Sequence, residues 1–345
     1  FLPIIGLAIG ALYYYWGSSV VQGHELILKE INAPREQIKW FMAPYILITT
    51  LLTHLFGGSA GREGTAVQMG ASLADQLGTW FSLTREDRVI LLVSGMGAGF
   101  SAAIGAPFAG VIFGIEVVRS RKLARESFVF CIIASLTGYF VTTILAAPHT
   151  EYPSLHIPTV RLETILFALF SGLFFGGISH VFIVMSQTIQ RYFSYISYPP
   201  LRPFVGGCFL VFLYWWEGSY RYAGLGLESI QSALITPSSF LDPLYKTFFT
   251  ALTVSSGFKG GEFIPLVFMG TTLGSSIGVF LPAYFSLAAG LGFASVFGAA
   301  SKTPIACSIM AIEIFGFSIA PYIFISCFVA SYVNGEQSIY KMKSL

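Results

Sequence analysis

Apolar runs dominate the chain, and the polar positions that interrupt them fall into a pattern. A membrane-spanning helix needs about 20 apolar residues, and residues 128–147 and 165–185 supply them without a break. Elsewhere the runs are divided. Between Trp40 and Val118, and again between Phe248 and Val333, they are cut by Gly-rich or Pro-containing turns. Gly57-Gly58-Ser59-Ala60-Gly61 is one such turn and Gly257-Phe258-Lys259-Gly260-Gly261 another. Non-helical backbone at membrane depth is tolerated only where protein or a water-filled cavity covers its polar groups. The two interrupted regions therefore predict helices broken around a buried site. The run Leu2–Trp16 is apolar from its first residue, which reads as a start inside a membrane segment with helices preceding it.

Composition points the same way. Of 345 residues, 54% are hydrophobic and 10% charged, against about 25% charged in soluble domains, and the mean hydropathy is +0.72. The 36 Gly and 33 Phe fit helices packed closely in lipid, where small residues let backbones approach. The chain reads as a single polytopic transmembrane domain over residues 1–345. The net charge of +2 and the lack of a basic stripe exclude nucleic acid as a partner.

Lys and Arg cluster at Lys29/Arg35/Lys39, at Arg85/Arg88 and at Arg119/Arg121/Lys122/Arg125, with a later pair at Arg191 and Arg202. The polar loop Pro148–Pro158 has none, so the positive-inside rule places the clusters in the cytoplasm and that loop outside. Cys131, Cys208, Cys307 and Cys327 lack metal or redox spacing and are expected in the core. His24, His54 and His180 show no metal-ligand spacing and read as packed histidines. No metal and no cofactor is implied.

Comparison of the two halves is more informative. Ala102-Ala103-x-x-x-Pro107-x-Ala109-x-x-Ile112-x-x-Ile115-Glu116 recurs as Ala299-Ala300-x-x-x-Pro304-x-Ala306-x-x-Ile309-x-x-Ile312-Glu313. Seven of sixteen positions match, where composition alone gives about one or two. Upstream, Met69-Gly70 pairs with Met269-Gly270, which sets Gly61 against Gly261, Glu63 against Phe263 and Thr65 against Pro265. The chain is an internal duplication, with repeats expected at roughly 1–150 and 160–345. Interrupted segments at matching places in two halves point to a midplane site between inverted repeats.

Both interrupted loops lead into helix-like runs, Gly61-Arg62-Glu63-Gly64-Thr65 into 66–77 and Gly260-Gly261-Glu262-Phe263-Ile264-Pro265 into 266–277. Free N–H groups and the positive dipole end make a helix N-terminus an anion site without a full charge. Conduction needs binding that is favourable yet escapable, and partial charges meet that need better than a buried Lys or Arg. The substrate expected from two such loops is a small inorganic anion.

Gly61-Arg62-Glu63-Gly64, Gly260-Gly261-x-x-x-Pro265 and Tyr340 resemble, in order, the anion-site motifs of the CLC family of chloride channels and proton-coupled anion transporters. The resemblance covers the chain from about Trp16 to Tyr340. It implies an all-α membrane fold of two inverted-topology repeats whose broken helices meet at the bilayer midplane, and a homodimer with one pathway per subunit. It gives Glu63 the role of external gate and proton carrier, and Tyr340 a hydroxyl contact with the anion. It also implies anion contacts from Gly61, Arg62, Gly64, Thr65, Gly261, Phe263 and Ile264, and from Gln22 and Gly23 at the inner contact. The alternative for Glu63 is simple neutralisation of Arg62. Intramembrane carboxylates are costly and functional by default.

Four departures from the usual family pattern resemble its fluoride-transporting branch, fluoride/proton antiporters of bacterial plasma membranes. Thr65 replaces a proline, Val21-Gln22-Gly23-His24-Glu25 replaces a serine-bearing motif, and Glu262 stands where an apolar residue is usual. Val117 occupies the position of the inner proton-transfer glutamate of chloride exchangers. A carboxylate beside an anion site repels the anion when ionised and donates a hydrogen bond when protonated. Fluoride, the most basic halide and the strongest acceptor, gains most from that donor. Glu63 and Glu262 together are therefore expected to carry the proton.

A salt bridge with Lys259 is the alternative for Glu262, and a chloride/proton exchanger or passive chloride channel is the alternative function. An enzyme would need a nucleophile or metal cluster that the sequence lacks. An organic-anion transporter would need a set of pocket side chains. With only Lys341–Leu345 after Tyr340, regulation through an appended nucleotide-binding domain is not expected.

Overall fold

Lipid offers no partner to backbone N–H and C=O groups, so an apolar chain satisfies them within helices. The computed structural model, which describes residues 1–118 and 120–340, contains fifteen α-helices and, among the described residues, no strand. Arg119 of the basic cluster and Lys341–Leu345 lie outside the described residues. The first helices are α1 (Leu2–Tyr15), α2 (His24–Asn32), α3 (Met42–Leu55), α4 (Glu63–Trp80), α5 (Arg85–Ile104), α6 (Pro107–Val118), α7 (Arg121–Ile144) and α8 (Leu162–Ser194). They are followed by α9 (Leu201–Glu217), α10 (Leu227–Ile235), α11 (Asp242–Ser256), α12 (Phe263–Gly278), α13 (Phe285–Ser301), α14 (Pro304–Phe315) and α15 (Ala320–Val333).

Four segments are long and apolar enough to cross a membrane, Arg85–Ile104, Lys122–Ile144, Leu162–Ser194 and Pro282–Ser301. The runs expected at 128–147 and 165–185 are parts of α7 and α8. Helix α7 stops at Ile144, and Ala146 just beyond it adopts a left-handed φ of 51°. Helix α5 is an uninterrupted span within a region where broken helices were expected.

The element order α1–α7 recurs as α9–α15, and among the described residues α8 has no counterpart. Helices α2 and α10 have nine residues each, and α6 and α14 twelve each. At the centre, Gly61 N–H donates to the Gly261 carbonyl (2.5 Å) and Gly261 N–H to the Gly61 carbonyl (2.6 Å), an isolated antiparallel bridge between the interrupted loops.

A second reciprocal contact joins α6 and α14. The Glu116 carboxylate at the end of α6 accepts from Ile305 N–H (3.0 Å) and Ala306 N–H (2.8 Å) in the first turn of α14. Glu313 at the end of α14 accepts from Phe108 and Ala109 in the first turn of α6 at the same 3.0 and 2.8 Å. Each helix starts with a proline, whose missing N–H would have no intrahelical partner anyway. Each also presents its next two N–H groups to an acid from the other repeat. The two helices thus lie antiparallel, as inverted repeats require.

Close helix crossings recur in the same way. Gly70 of α4 meets Gly95 of α5, and Gly270 of α12 meets Gly292 of α13, so tightly that a Cβ on any of the four would collide with the facing carbonyl. Such contacts let dispersion act between helices that gain no hydrophobic drive in lipid.

Charge marks the two ends of α5. Near its start, Arg88 pairs with Asp75 of α4 and Glu30 of α2. This basic residue therefore ties three elements together as well as contributing to the charge asymmetry. Past its end, Gly105 adopts φ 81° beneath the ring of His149, in the loop that has no Lys or Arg. The Arg85/Arg88 cluster and that loop lie at opposite ends of a span about 30 Å long.

Cys131, Cys307 and Cys327 are buried, but Cys208 is exposed on α9. The expectation of a core position fails there because lipid-facing and core-facing positions are equally apolar in such a chain.

Gly270→Ala is expected to destabilise the protein by about 3 kcal/mol or more, an overpacking with no flexible neighbour to yield. Gly177→Ala on α8, where no atom lies within 4 Å of the new Cβ, should leave the melting temperature in detergent unchanged or raised. Thermal unfolding of the two variants side by side checks this.

Candidate anion site

Helix α4 begins at Glu63 and α12 at Phe263, a turn earlier than the helices expected at 66 and 266. Gly64, Thr65, Ile264 and Pro265 thus lie in first turns rather than in loops. A proline fits there because the first N–H groups of a helix have no intrahelical acceptor. A Cβ on Gly261 would stand 2.7 Å from the Gly64 nitrogen, and one on Gly61 3.0 Å from the Gly261 carbonyl. Only glycine permits this approach, and through it the N-termini of α4 and α12 meet.

Glu63 is buried at this meeting point. Its carboxylate folds back over Gly61 and accepts from Arg62 N–H (3.0 Å). The Arg62 guanidinium reaches it only loosely, with Nε 3.7 Å from Oε1 and a side chain 52% exposed. The backbone at the helix start therefore holds the acid more closely than its charged neighbour does.

Beneath Glu63 is an inner cavity of about 10 Å³, lined by Glu63, Gly64, Val67, Phe100, Phe113, Glu262, Phe263, Phe297 and Tyr340. That volume is about the room one water molecule needs. The Phe263 ring stands perpendicular to Phe297 with centroids 4.7 Å apart, while Phe100 stacks on Phe113 at 4.1 Å. The edges of aromatic rings are positive, so these walls are compatible with an anion.

Glu262 and Tyr340 also line a larger vestibule of about 260 Å³, together with Gln22, Gly23, His24, Gln68 and Lys259. Glu262 precedes α12 without capping it, and among the described residues its carboxyl forms no ion pair and no hydrogen bond with another side chain. The Lys259 ammonium instead donates to the Val21 carbonyl (3.1 Å) and lies 4.3 Å from the centre of the Tyr13 ring. The expected alternative for Glu262, a salt bridge with Lys259, is absent.

Other expected residues are placed as follows. Gly23 precedes α2 at φ 57° and ψ −120°, a conformation open to glycine. The Gln22 amide oxygen accepts from Lys29 Nζ (3.2 Å) at the vestibule rim. Ile264 is buried behind Phe263. The Thr65 hydroxyl pairs with the Thr50 hydroxyl of α3 at 2.8 Å, both residues buried. Its side chain is thus committed to the helix pair α3–α4, which leaves Thr65 only its backbone to offer an anion. Val117, where a chloride-type relay acid was sought, is buried among apolar residues.

Two site residues escaped sequence reasoning, His24 and Gln68. The Gln68 amide nitrogen lies 3.0 Å from His24 Nδ1, and the His24 ring packs against Tyr340 with centroids 5.0 Å apart. A usable signal was spacing: Glu63, Gly64, Val67 and Gln68 share one face of α4.

Residues 5–335 match the family described as the voltage gated chloride channel. The chain is 38% identical to a chloride/fluoride channel protein of Pseudomonas syringae pv. tomato, an alignment covering 98% of this chain and 76% of the relative. It is 28% identical to the H(+)/Cl(-) exchange transporter ClcA of Cronobacter sakazakii over 83% of this chain and 66% of that one. Among solved structures, a CLC-type fluoride/proton antiporter superposes with a TM-score of 0.94 at 34% identity, covering 99% of this chain and 86% of the other. A slow cyanobacterial Cl−/H+ antiporter has the same fold, with a TM-score of 0.79 at 20% identity over 96% and 82% of the two chains.

Thr65→Val should cost about 1–2 kcal/mol, because it strands the buried Thr50 hydroxyl. The double variant Thr50→Val/Thr65→Val should be no less stable than either single one. A double-mutant cycle on thermal stability checks this, and additive losses would show that the two hydroxyls act independently.

Proposed function

The chain belongs to the voltage gated chloride channel (CLC) family, and from that premise we propose that it is a fluoride/proton antiporter, exporting fluoride from the bacterial cytoplasm as protons enter. The observation that supports this reading is the inner cavity, a water-sized space where two helix N-termini meet and whose lining includes two acidic residues, Glu63 and Glu262.

Fluoride enters from the vestibule and meets Glu262. Ionised, that group repels it; protonated, it donates a hydrogen bond that strengthens with the basicity of the acceptor. Anion and proton affinities are then linked, each raising the other by the same free energy. The fluoride next passes the ring edges of Phe263 and its neighbours. It then competes with the Glu63 carboxylate for the N–H groups at the starts of α4 and α12, drawn from Arg62, Gly64, Thr65, Phe263 and Ile264, while Gly61 and Gly261, whose N–H groups are spent on each other, line the route with bare backbone. Displaced outward, Glu63 takes a proton from external water. Fluoride leaves outward past it, Glu262 releases its own proton to the vestibule and stands ionised, and Glu63, returning neutral, passes the external proton across the cavity to Glu262, which is then ready for the next fluoride. Each cycle leaves fluoride outside and a proton inside.

A chloride/proton exchanger is less well supported, since the cavity is small and Val117 supplies no acid. Tyr340 serves as a contact at the inner mouth of the cavity, and Gln22 and Gly23 line the approach. We infer a homodimer in the bilayer, with one pathway per subunit.

Fluoride and chloride efflux from proteoliposomes, read with ion-selective electrodes, tests the assignment. Wild type should release fluoride at least tenfold faster than chloride. Glu262→Gln should fold normally yet slow coupled exchange at least tenfold, and Glu63→Ala should move anions without protons. Unchanged coupling in Glu262→Gln would remove that residue from the mechanism.

A further inference from the structure

A buried side-chain donor without a partner calls for an explanation, and a missing anion is one. His24, the first residue of α2, carries such a group: its Nε2 is buried and has no hydrogen-bond partner. The other ring nitrogen fixes its chemistry. The Gln68 amide nitrogen faces His24 Nδ1 at 3.0 Å, with the amide oxygen turned toward Gly23. With the amide in this placement its NH2 donates to Nδ1, which puts the hydrogen of the neutral ring on Nε2, and the amide oxygen, like Nε2, is buried without a partner.

That N–H lies beside the anion route. The Cε1 atom next to it sits 3.2 Å from where a Cβ on Gly64 would be, one residue beyond Glu63. The ring packs on Tyr340, which lines both cavities, while His24 itself lines the vestibule. An anion moving between the vestibule and the inner cavity passes Tyr340 and the His24 ring tilted against it. The charged groups around this passage are Glu262 and Lys259 from the loop before α12, and Glu25 from α2 itself; α4 presents the neutral Gln68.

We propose that His24 coordinates the transported anion through Nε2–H at the inner mouth of the cavity, and that Gln68 is the positioning residue that holds the required tautomer. A neutral donor there binds without the deep trap that a fixed cation would create. The identity of the anion as fluoride rests on the antiport reading, but the coordination does not.

Histidine-selective 15N labelling of the whole protein in lipid bilayers, read by solid-state NMR, tests this, since the chain has only five histidines to resolve. The signal lost in His24→Gln should report a neutral ring protonated at Nε2, and its Nε2 resonance should shift saturably as sodium fluoride is added. Fluoride binding should weaken about tenfold or more in His24→Phe, and Gln68→Leu should mix the two tautomers. A hydrogen on Nδ1 in wild type, or an Nε2 resonance unmoved by both fluoride and chloride, would overturn the proposal. A shift with chloride alone would uphold the His24 site and reject fluoride as the substrate.

Discussion

Two hydrogen bonds between Gly61 and Gly261 hold the arrangement on which the rest of the molecule depends. Non-helical backbone deep in a membrane must find polar partners within the protein, and here each interrupted loop is the partner of the other. The bridge needs two residues without side chains, and it brings two helix starts to one point. Their positive ends repel each other unless something negative stands between them. An affinity for anions therefore follows from the way the loops satisfy their own backbone.

The protein meets the same electrostatic problem twice. At the starts of α6 and α14, Glu116 and Glu313 each cap the opposite helix through two N–H groups, and the arrangement is symmetric and closed. At the starts of α4 and α12 the symmetry fails. Phe263 stands opposite Glu63 and Glu262 opposite Arg62, so one acid reaches the helix starts and the other faces the vestibule. One carboxylate serves two converging helix starts there, so the start of α12 has no acid of its own, while the closed pair at α6 and α14 holds the frame.

Much of this is legible in the sequence, because the repeat aligns Gly61 with Gly261 and Glu63 with Phe263. Helix starts were placed a turn late, since Gly64, Thr65 and Pro265 look like loop residues, although a first turn tolerates them. The recurrence of Glu116 and Glu313 was visible but their destination was not, because each caps a helix some 190 to 205 positions away. Thr65 is expected as an anion contact from the motif it belongs to, and only packing shows its hydroxyl taken by Thr50. His24 looked like an ordinary packed histidine, as a ring's tautomer depends on a partner, Gln68, that the sequence does not put beside it.

The central claim is that fluoride and a proton exchange through one water-sized space between Glu63 and Glu262. Its most direct test is whether a fluoride gradient alone moves protons uphill. In wild-type proteoliposomes loaded with fluoride, at equal pH on both sides and with the voltage clamped by potassium and valinomycin, outward fluoride flow should make the external solution alkaline as protons are drawn in. Fluoride efflux without any proton movement would contradict the account.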